Sequence, residues 1–366
     1  MSALSLVFSG AAAIFEDPLT ILYFLIGVFG GIVFGAIPGL TGALGVSLML
    51  PFTFAMSPTQ GITVLIGIYV GGVSGGLIAS IMLNIPGNAA AIVTCFDGSP
   101  MARNGHPYRA LSYGATASLI GGLFSGVVMI FVATKLARFG LMFGAWEYFA
   151  LGIMGLAVVI SLCSDDMIKG LISAIIGMML AMIGMDKLSS LERFTFGWWR
   201  LSGGFGEMTV LMGLFALGEI LAQLKNLGKP MNQVDSDERR TVLPRKGAFK
   251  GLKKSLCVSS IIGTLIGVLP GVGQSTAALV AYNQAKNSSK EPEKFGTGCA
   301  EGIVAPESAN NAVCGGALIP MMTLGIPGDT ITAMLMSGLI VHGLAPGASL
   351  FSSNPEVIGT IYFAYI

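Results

Sequence analysis

The chain contains two related apolar segments, each interrupted at the same place by a proline followed by a glycine. Residues 31–45 read GIVFGAIPGLTGALG, and residues 263–277 read GTLIGVLPGVGQSTA. Four positions match at one constant offset: Gly31 with Gly263, Gly35 with Gly267, Pro38 with Pro270, and Gly39 with Gly271. Because proline removes a backbone donor and breaks a helix, a duplicated break indicates two copies of one structural unit.

A second Pro-Gly pair follows each copy. The first lies in LNIPGN at 83–88 and the second in LGIPGD at 324–329, and FDGSP at 96–100 and VHGLAP at 341–346 come after them. Broken helices are tolerated at membrane depth only where protein or a wet cavity satisfies the freed backbone groups. Interrupted segments at corresponding places in two halves are typical of a transporter binding site.

The composition indicates lipid as the solvent and as a partner of this chain. Of its 366 residues, 53% are hydrophobic and 11% are charged, and the mean hydropathy is +0.78. A soluble domain carries about 25% charged residues. The formal net charge of +1 gives no indication of a nucleic-acid partner, so none is expected.

The apolar runs predict a polytopic all-α membrane protein. Runs of spanning or nearly spanning length lie at 19–37, 61–83, 110–134, 146–163, 168–185, 208–224 and 255–269. Shorter runs at 42–56, 272–282, 312–326 and 330–342 predict half-helices or arms of re-entrant hairpins, because a full span needs about 20 residues. The predicted parts are a first membrane repeat (1–109), intervening helices (110–224), a basic linker (225–254) and a second repeat (255–366).

The distribution of basic residues predicts that the two repeats are inverted. The linker holds nine Lys or Arg, whereas none occurs before Arg103 or after Lys294. Basic loops face the cytoplasm, so the linker is expected inside and the N-terminus outside. The first repeat then starts outside and the second starts inside. Each Pro-Gly unit is expected to return to its starting side as a hairpin.

The breaks are the predicted substrate site. A broken helix exposes backbone N–H groups, and the positive end of the next half-helix attracts anions. Small hydrogen-bonding residues also cluster there. The predicted substrate-binding residues are Pro38, Gly39, Thr41, Asn84, Pro86, Gly87, Asn88, Gly271, Gly273, Gln274, Ser275, Pro327, Gly328 and Thr330. A simple turn between helices is the structural alternative for any single pair.

A second polar cluster lies at 299–316, CAEGIVAPESANNAVCGG. Polar groups are costly within a membrane unless they face a cavity or one another. Its oxygen-rich side chains suit a hard cation such as sodium, and Glu307, Ser308, Asn310 and Asn311 are the predicted cation-coupling residues. A proton carrier and an interhelical hydrogen-bond network remain alternatives. Asp97 is expected either to join a site or to cap a helix at the membrane surface.

The motifs give no indication of an enzyme or of a bound cofactor. No Gly-rich phosphate loop follows a strand, no H-E-x-x-H occurs, and no Ser/His/Asp set stands out. His106 and His342 are isolated, so no resident metal is expected. Without a nucleotide site, transport is expected to use a sodium or proton gradient.

Several long segments resemble the large membrane subunit of bacterial tripartite tricarboxylate transporters. The similar segments are GAIPGLTGALG, residues 69–105, RFTFGWWRL at 193–201, residues 295–329 and VHGLAPG at 341–347. The resemblance extends through essentially the whole chain. It implies a multi-pass subunit of the bacterial inner membrane that imports citrate-like or other small carboxylates with cation coupling.

The resemblance also implies two protein partners, an extracytoplasmic solute-binding protein and a small membrane subunit. Members of that family are longer and continue with further membrane helices, whereas this sequence stops at Ile366 within an apolar run. Two other functions stay open from the residues alone: a stand-alone ion symporter, and a membrane scaffold that transports nothing. The identity of the carboxylate has no side-chain signature.

Overall fold

The fold is described from a computed structural model. It describes residues 2–140, 142, 144, 146–147, 149–150, 153, 167–185, 191–205, 243–244 and 247–366. All of the predicted run at 208–224, and most of the run at 146–163 and of the basic linker, lie outside these residues. The division into two repeats, intervening helices and linker therefore stays a prediction.

The described part of the chain is predominantly helical. Its helices are α1 (Ala3–Phe15), α2 (Pro18–Ala36), α3 (Gly42–Met49), α4 (Pro58–Leu83), α5 (Ile92–Arg103), α6 (Pro107–Gly140), α7 (Met167–Ala181), α8 (Lys253–Val268), α9 (Gly273–Ser288), α10 (Ala300–Leu324), α11 (Thr330–Val341), α12 (Leu350–Ser353) and α13 (Pro355–Tyr365). Short 3-10 turns lie at Leu50–Ala55, Ala89–Ala91, Trp199–Leu201 and Pro292–Lys294. Helices α2, α4 and α6 are long and apolar enough to cross a membrane.

The structure departs from the sequence prediction in two places. Strands β1 (Gly184–Met185) and β2 (Glu192–Arg193) form an antiparallel pair, and two-residue strands are too short to give a periodic signal. Helix α10 begins at Ala300, well before the apolar run predicted at 312–326. It continues through the polar cluster because most of those side chains find partners on neighbouring helices.

Capping residues fix where several helices begin. Asp17 precedes Pro18 and accepts the Leu19 N–H at the start of α2. Ser57 and Gln60 form a reciprocal capping box at the start of α4. These side chains satisfy backbone donors that have no partner inside the helix.

Glycines set the packing of α2 on α4. Gly27, Gly31 and Gly35 are buried along one face of α2, while Leu25 and Phe29 on the same helix are exposed. A β-carbon at Gly31 would lie 2.6 Å from the carbonyl oxygen of Ile68 in α4. The two backbones therefore touch, as small residues permit in membrane helices, and the large apolar side chains face outward.

Helices α8 and α10 repeat this contact in the second half. Gly263 and Gly267 of α8 occupy the places of Gly31 and Gly35, and they pack on the backbone of Ala309 and Val313 in α10. Helix α10 also packs against α6 and α9, and its residues from Gly302 to Thr323 are all buried. This central helix carries the polar cluster into the interior.

Candidate functional site

The first pair of breaks ends α2 and α8 in the same way. Helix α2 stops at Ala36 and α8 at Val268, and the glycines that follow have left-handed φ values of 89° at Gly39 and 82° at Gly271. Glycine adopts this conformation without the steric cost that a β-carbon imposes. The broken helices predicted at Pro38 and Pro270 are thus present.

The half-helices after these breaks differ in their caps. Thr41 caps α3, because its Oγ1 accepts the Leu44 N–H at 3.1 Å. Helix α9 begins at Gly273 with no side-chain cap. Gln274 and Ser275 lie in its first turn, and Ser275 is exposed.

The second pair of breaks ends α4 and α10 with left-handed caps. Asn84 follows α4 with φ 56°, and Gly325 follows α10 with φ 67°. Asn88 then caps the 3-10 turn at Ala89–Ala91, and Asp329 forms a capping box with Thr332 at the start of α11. Because the Asn84 side chain is exposed, its left-handed backbone conformation explains why an asparagine stands at this position.

The four breaks converge. Gly271 N–H donates to the Gly328 carbonyl at 2.8 Å, which joins the two breaks of the second half. Gly87 packs on Gly35 in the first half. Between the halves, α3 contacts α11, and α9 contacts the 3-10 turn at Ala89–Ala91.

Gly87 and Gly328 owe their identity to close packing. Neither has a positive φ. A β-carbon on Gly328 would lie 2.5 Å from Ala317 Cα and 2.9 Å from Gly267 O, and one on Gly87 would clash with the Gly35 carbonyl and with Gly76. Both glycines therefore allow the breaks to pack directly on neighbouring helices, which are α2 and α4 at Gly87 and α8 and α10 at Gly328. Valine at either position tests packing as much as it tests ligand binding.

Asp329 connects the two breaks of the second half with helix α4. Its Oδ2 accepts a hydrogen bond from Tyr69 Oη of α4 at 2.7 Å and another from Gln274 Nε2 of α9 at 3.2 Å. Its Oδ1 accepts the Thr332 N–H at 2.7 Å. A carboxylate with neutral donors from three elements is thus held at the second Pro-Gly pair of the second half.

Glu307 ties α10 to two helices of the preceding part of the chain. It is fully buried, and its two carboxylate oxygens accept hydrogen bonds from Thr94 Oγ1 of α5 at 2.5 Å and from Ser118 Oγ of α6 at 2.9 Å. Both partners are hydroxyls, which can donate to a carboxylate or accept from a carboxylic acid. The contact therefore accommodates either protonation state.

The four residues predicted for cation coupling do not surround one point. Asn311 lies beside Glu307, since its Nδ2 donates to the Glu307 carbonyl, and its Oδ1 accepts from Ser74 Oγ at 2.7 Å. Ser308 is directed to α8, where it bonds Ser260 Oγ at 2.8 Å. Asn310 is 1% exposed, and neither polar atom of its side chain has a partner among the described residues.

A cavity of about 430 Å³ lies beside this network. Its walls come from α2, α4, α6, α10 and the end of α13, and its polar lining includes Ser74, Ser118, Asn311 and Tyr365. Tyr365 Oη bonds Ser125 Oγ at 2.8 Å. Ser118, which bonds Glu307, and Ser74, which bonds Asn311, therefore line a space large enough for a small molecule.

Asp97 caps a helix, as one of the two sequence-based alternatives predicted. Its buried carboxylate accepts the backbone N–H groups of Gly296, Gly298 and Cys299 at 2.7–3.0 Å, and Tyr282 Oη at 2.9 Å. Cys299 is the N-cap of α10, so an anion from α5 lies at the positive end of that helix. This contact fastens the first half to the second.

Sequence reasoning missed several partners of the predicted residues. They are Tyr69, Ser74, Thr94, Ser118 and Asp329. Asp329 gave a signal, as a lone carboxylate after a Pro-Gly pair in apolar sequence. The hydroxyls gave none, because isolated Ser and Thr are common in membrane helices. Within the described ranges no group of three His, Cys, Asp or Glu could hold a metal ion.

Apolar helices with exposed hydrophobic faces, broken where they converge and crossed by buried polar contacts, define a helical integral membrane protein with discontinuous helices. Residues 21–366 match the family described as the tripartite tricarboxylate transporter TctA family. The chain belongs to this family, and membership makes it a membrane subunit of a tricarboxylate transporter. This confirms the resemblance seen in the sequence.

Two relatives come from Agrobacterium vitis. One is an uncharacterised 52.8 kDa protein of the TAR-I ttuC' 3' region, 36% identical over 357 residues, which cover 98% of this chain and 70% of the relative. The other is an uncharacterised protein of the TAR-II ttuC' 3' region, 44% identical over 85 residues, which cover 23% of this chain and 35% of the relative. No solved structure matches.

Proposed function

We propose that this chain is the translocation subunit of a binding-protein-dependent secondary transporter that imports a small, citrate-like carboxylate. The family match over residues 21–366 is the observation that carries this proposal. The transporter works in the bacterial inner membrane as a multi-pass protein. Its partners are an extracytoplasmic solute-binding protein and a small membrane subunit.

The proposal includes two inverted repeats with re-entrant hairpins. Equivalent contacts in the two halves support the repeat. Gly87 packs on Gly35 as Gly328 packs on Gly267, and left-handed caps at Asn84 and Gly325 occupy matching places. The inversion is supported by the basic residues, because segment 289–299 between α9 and α10 carries Lys290 and Lys294, beside Glu291 and Glu293, whereas loop 56–57 carries no basic residue. Lys294 pairs with Glu291 in segment 289–299.

The substrate carboxylate binds where the four breaks converge. Backbone N–H groups at the start of half-helices oppose negative charge there. The first turn of α9 supports this role, because no side chain caps it and Gln274 and Ser275 lie within it. The other predicted binding residues act indirectly, since Pro38, Pro86 and Pro327 create the breaks at which the substrate binds.

Transport is coupled to a sodium or proton gradient through the buried polar side chains of α10. Glu307 and Asn311 keep this role in the proposal, because they contact each other and their partners line the 430 Å³ cavity. Ser308 supports the helix contact with α8. A change of protonation or ion binding at Glu307 alters its hydrogen bonds with Thr94 of α5 and Ser118 of α6, and so affects both helices.

Reconstitution tests the function. The chain and its small membrane subunit are placed in proteoliposomes, and uptake of radiolabelled citrate is measured with and without the citrate-loaded binding protein, under an imposed sodium or pH gradient. We expect uptake from dilute citrate only when the binding protein and a gradient are both present.

Two other outcomes contradict the proposal. High-affinity uptake without any partner would establish a stand-alone symporter. Absence of uptake under every gradient, with the binding protein loaded and docked, would establish a scaffold that transports nothing. Protein-free liposomes provide the background value.

A further inference from the structure

The two halves place different chemistry at equivalent points next to the second Pro-Gly pairs. The offset along the chain that takes Gly87 to Gly328 also takes Asn88 to Asp329 and Tyr69 to Asn310. Tyr69 and Asp329 bond each other across the halves at 2.7 Å. The equivalent pair on the other side is Asn310 with Asn88. An amide thus replaces the carboxylate, and a shorter amide side chain replaces the tyrosine.

The helix contacts are also equivalent on the two sides. Helix α4, which carries Tyr69, contacts α11, which begins just after Asp329. Helix α10, which carries Asn310, contacts the 3-10 turn at Ala89–Ala91, which begins just after Asn88. The elements that carry or follow these residues therefore contact each other on both sides.

The hydrogen bonding of the two pairs differs. On the Asp329 side, the carboxylate is satisfied by Tyr69, Gln274 and Thr332. On the other side, Asn310 is 1% exposed and both polar atoms of its side chain lack a partner in the described structure. Asn88 Nδ2 has only long contacts of 3.4 Å to the carbonyls of Gly72 and Val73. A buried amide without partners is costly unless a ligand satisfies it.

We infer that Asn310 and Asn88 bind a carboxylate group of the substrate between them, where the shorter Asn310 side chain replaces the tyrosine that bonds Asp329 on the other side. The two amides supply neutral N–H donors to the substrate, just as the Tyr69 O–H and the Gln274 N–H are neutral donors to Asp329. This inference rests on the proposed function and gives Asn310 to the substrate instead of the coupling ion.

Asn88→Asp is the first test variant. Aspartate caps a helical turn as well as asparagine does, so the fold is expected to persist. The new carboxylate replaces a donor to the substrate group and repels that group from beside it. We expect citrate to bind to the purified complex with its small membrane subunit at least about tenfold more weakly, the loss typical of hydrogen bonds to a charged group.

Asn310→Leu is the second variant, and it separates a ligand contact from a structural one. Leucine has a similar shape and removes a buried amide that has no partner, so the ligand-free complex should be as thermally stable as wild type or more so. Citrate binding should still weaken about tenfold or more, because its donor is lost. A purely structural residue would not move stability and affinity in opposite directions.

Asn283→Asp is the matched control, because Asn283 is exposed on α9 and undergoes the same change of charge. It should bind citrate as wild type does. Wild-type citrate affinity in both Asn88→Asp and Asn310→Leu would overturn the inference and leave the proposed function standing. A wild-type complex that neither binds nor transports citrate or any other small di- or tricarboxylate would overturn both.

Discussion

The contact between α2 and α4 makes an unusually sharp prediction, because two adjacent glycines of one helix have opposite surroundings. A β-carbon at Gly31 would lie 2.6 Å from Ile68 O, 2.8 Å from Ile68 Cα and 2.9 Å from Gly72 N. A β-carbon at Gly30 would meet nothing within 4 Å. The same substitution, Gly→Ala, should therefore change stability in opposite directions at the two positions.

The magnitudes follow from the distances. An ordinary carbon–oxygen contact is about 3.3 Å or longer, so Gly31→Ala forces α2 and α4 apart by roughly 0.7 Å. Such overpacking costs about 1–3 kcal/mol. The gain from alanine in a helix, about 0.4–1 kcal/mol, offsets part of this cost at Gly31 and acts alone at Gly30. We expect Gly31→Ala to be destabilised by roughly 1–2 kcal/mol and Gly30→Ala to be slightly stabilised.

Reversible unfolding in mixed detergent, followed by circular dichroism, measures both free energies of unfolding. Gly263→Ala tests the equivalent contact of the second half, where a β-carbon would lie 2.7 Å from Ala309 Cα, and it should behave like Gly31→Ala. Equal stability of Gly30→Ala and Gly31→Ala would refute the close approach of α2 to α4, and with it the packing of the first repeat.

Two further predictions concern the junction of the halves and the topology. Asp97→Asn should destabilise the protein by roughly 2–4 kcal/mol in the same unfolding assay, because the charged acceptor of three backbone N–H groups at α10 is lost. Glu293→Gln, exposed in the nearby loop, is its control. Equal stability of the two variants would contradict a stabilising contact between Asp97 and the start of α10. Single cysteines at Ser2 and Ser236 in a cysteine-free chain should label from opposite sides of the membrane, and labelling of both from outside would overturn the inversion; Ser236 lies outside the described residues.

The positions of the breaks were predictable from the sequence. A Pro-Gly pair in apolar sequence has a local physical consequence, so Pro38, Pro86, Pro270 and Pro327 each mark a helix end that the structure contains. The same holds for the glycine positions that repeat at one offset. Local chemistry thus fixes where the helices stop.

The contacts between distant parts of the chain were not predictable. Thr94 meets Glu307 across 213 positions of sequence, and nothing local distinguishes this threonine from others in apolar helices. Helix α10 also extends through a polar cluster, because partners on α5, α6 and α8 satisfy Glu307 and Ser308 within it. Prediction from sequence identified the polar residues of α10. It did not identify their partners, which lie on different helices.

The central claim is that a substrate carboxylate lies where the breaks converge. Ser275 and Thr330 are exposed residues in the first turns of α9 and α11, immediately after two of the breaks. Ser5, exposed on α1, provides a control position. Each is replaced by cysteine in a cysteine-free chain, and the purified complex is treated with a charged thiol reagent with and without citrate.

We predict that citrate slows alkylation of Ser275→Cys and Thr330→Cys by about tenfold, because a bound anion covers the breaks and repels the anionic reagent, and leaves Ser5→Cys unchanged. Equal alkylation rates with and without saturating citrate at both break positions, in a complex that transports citrate, would contradict the claim that the substrate binds there.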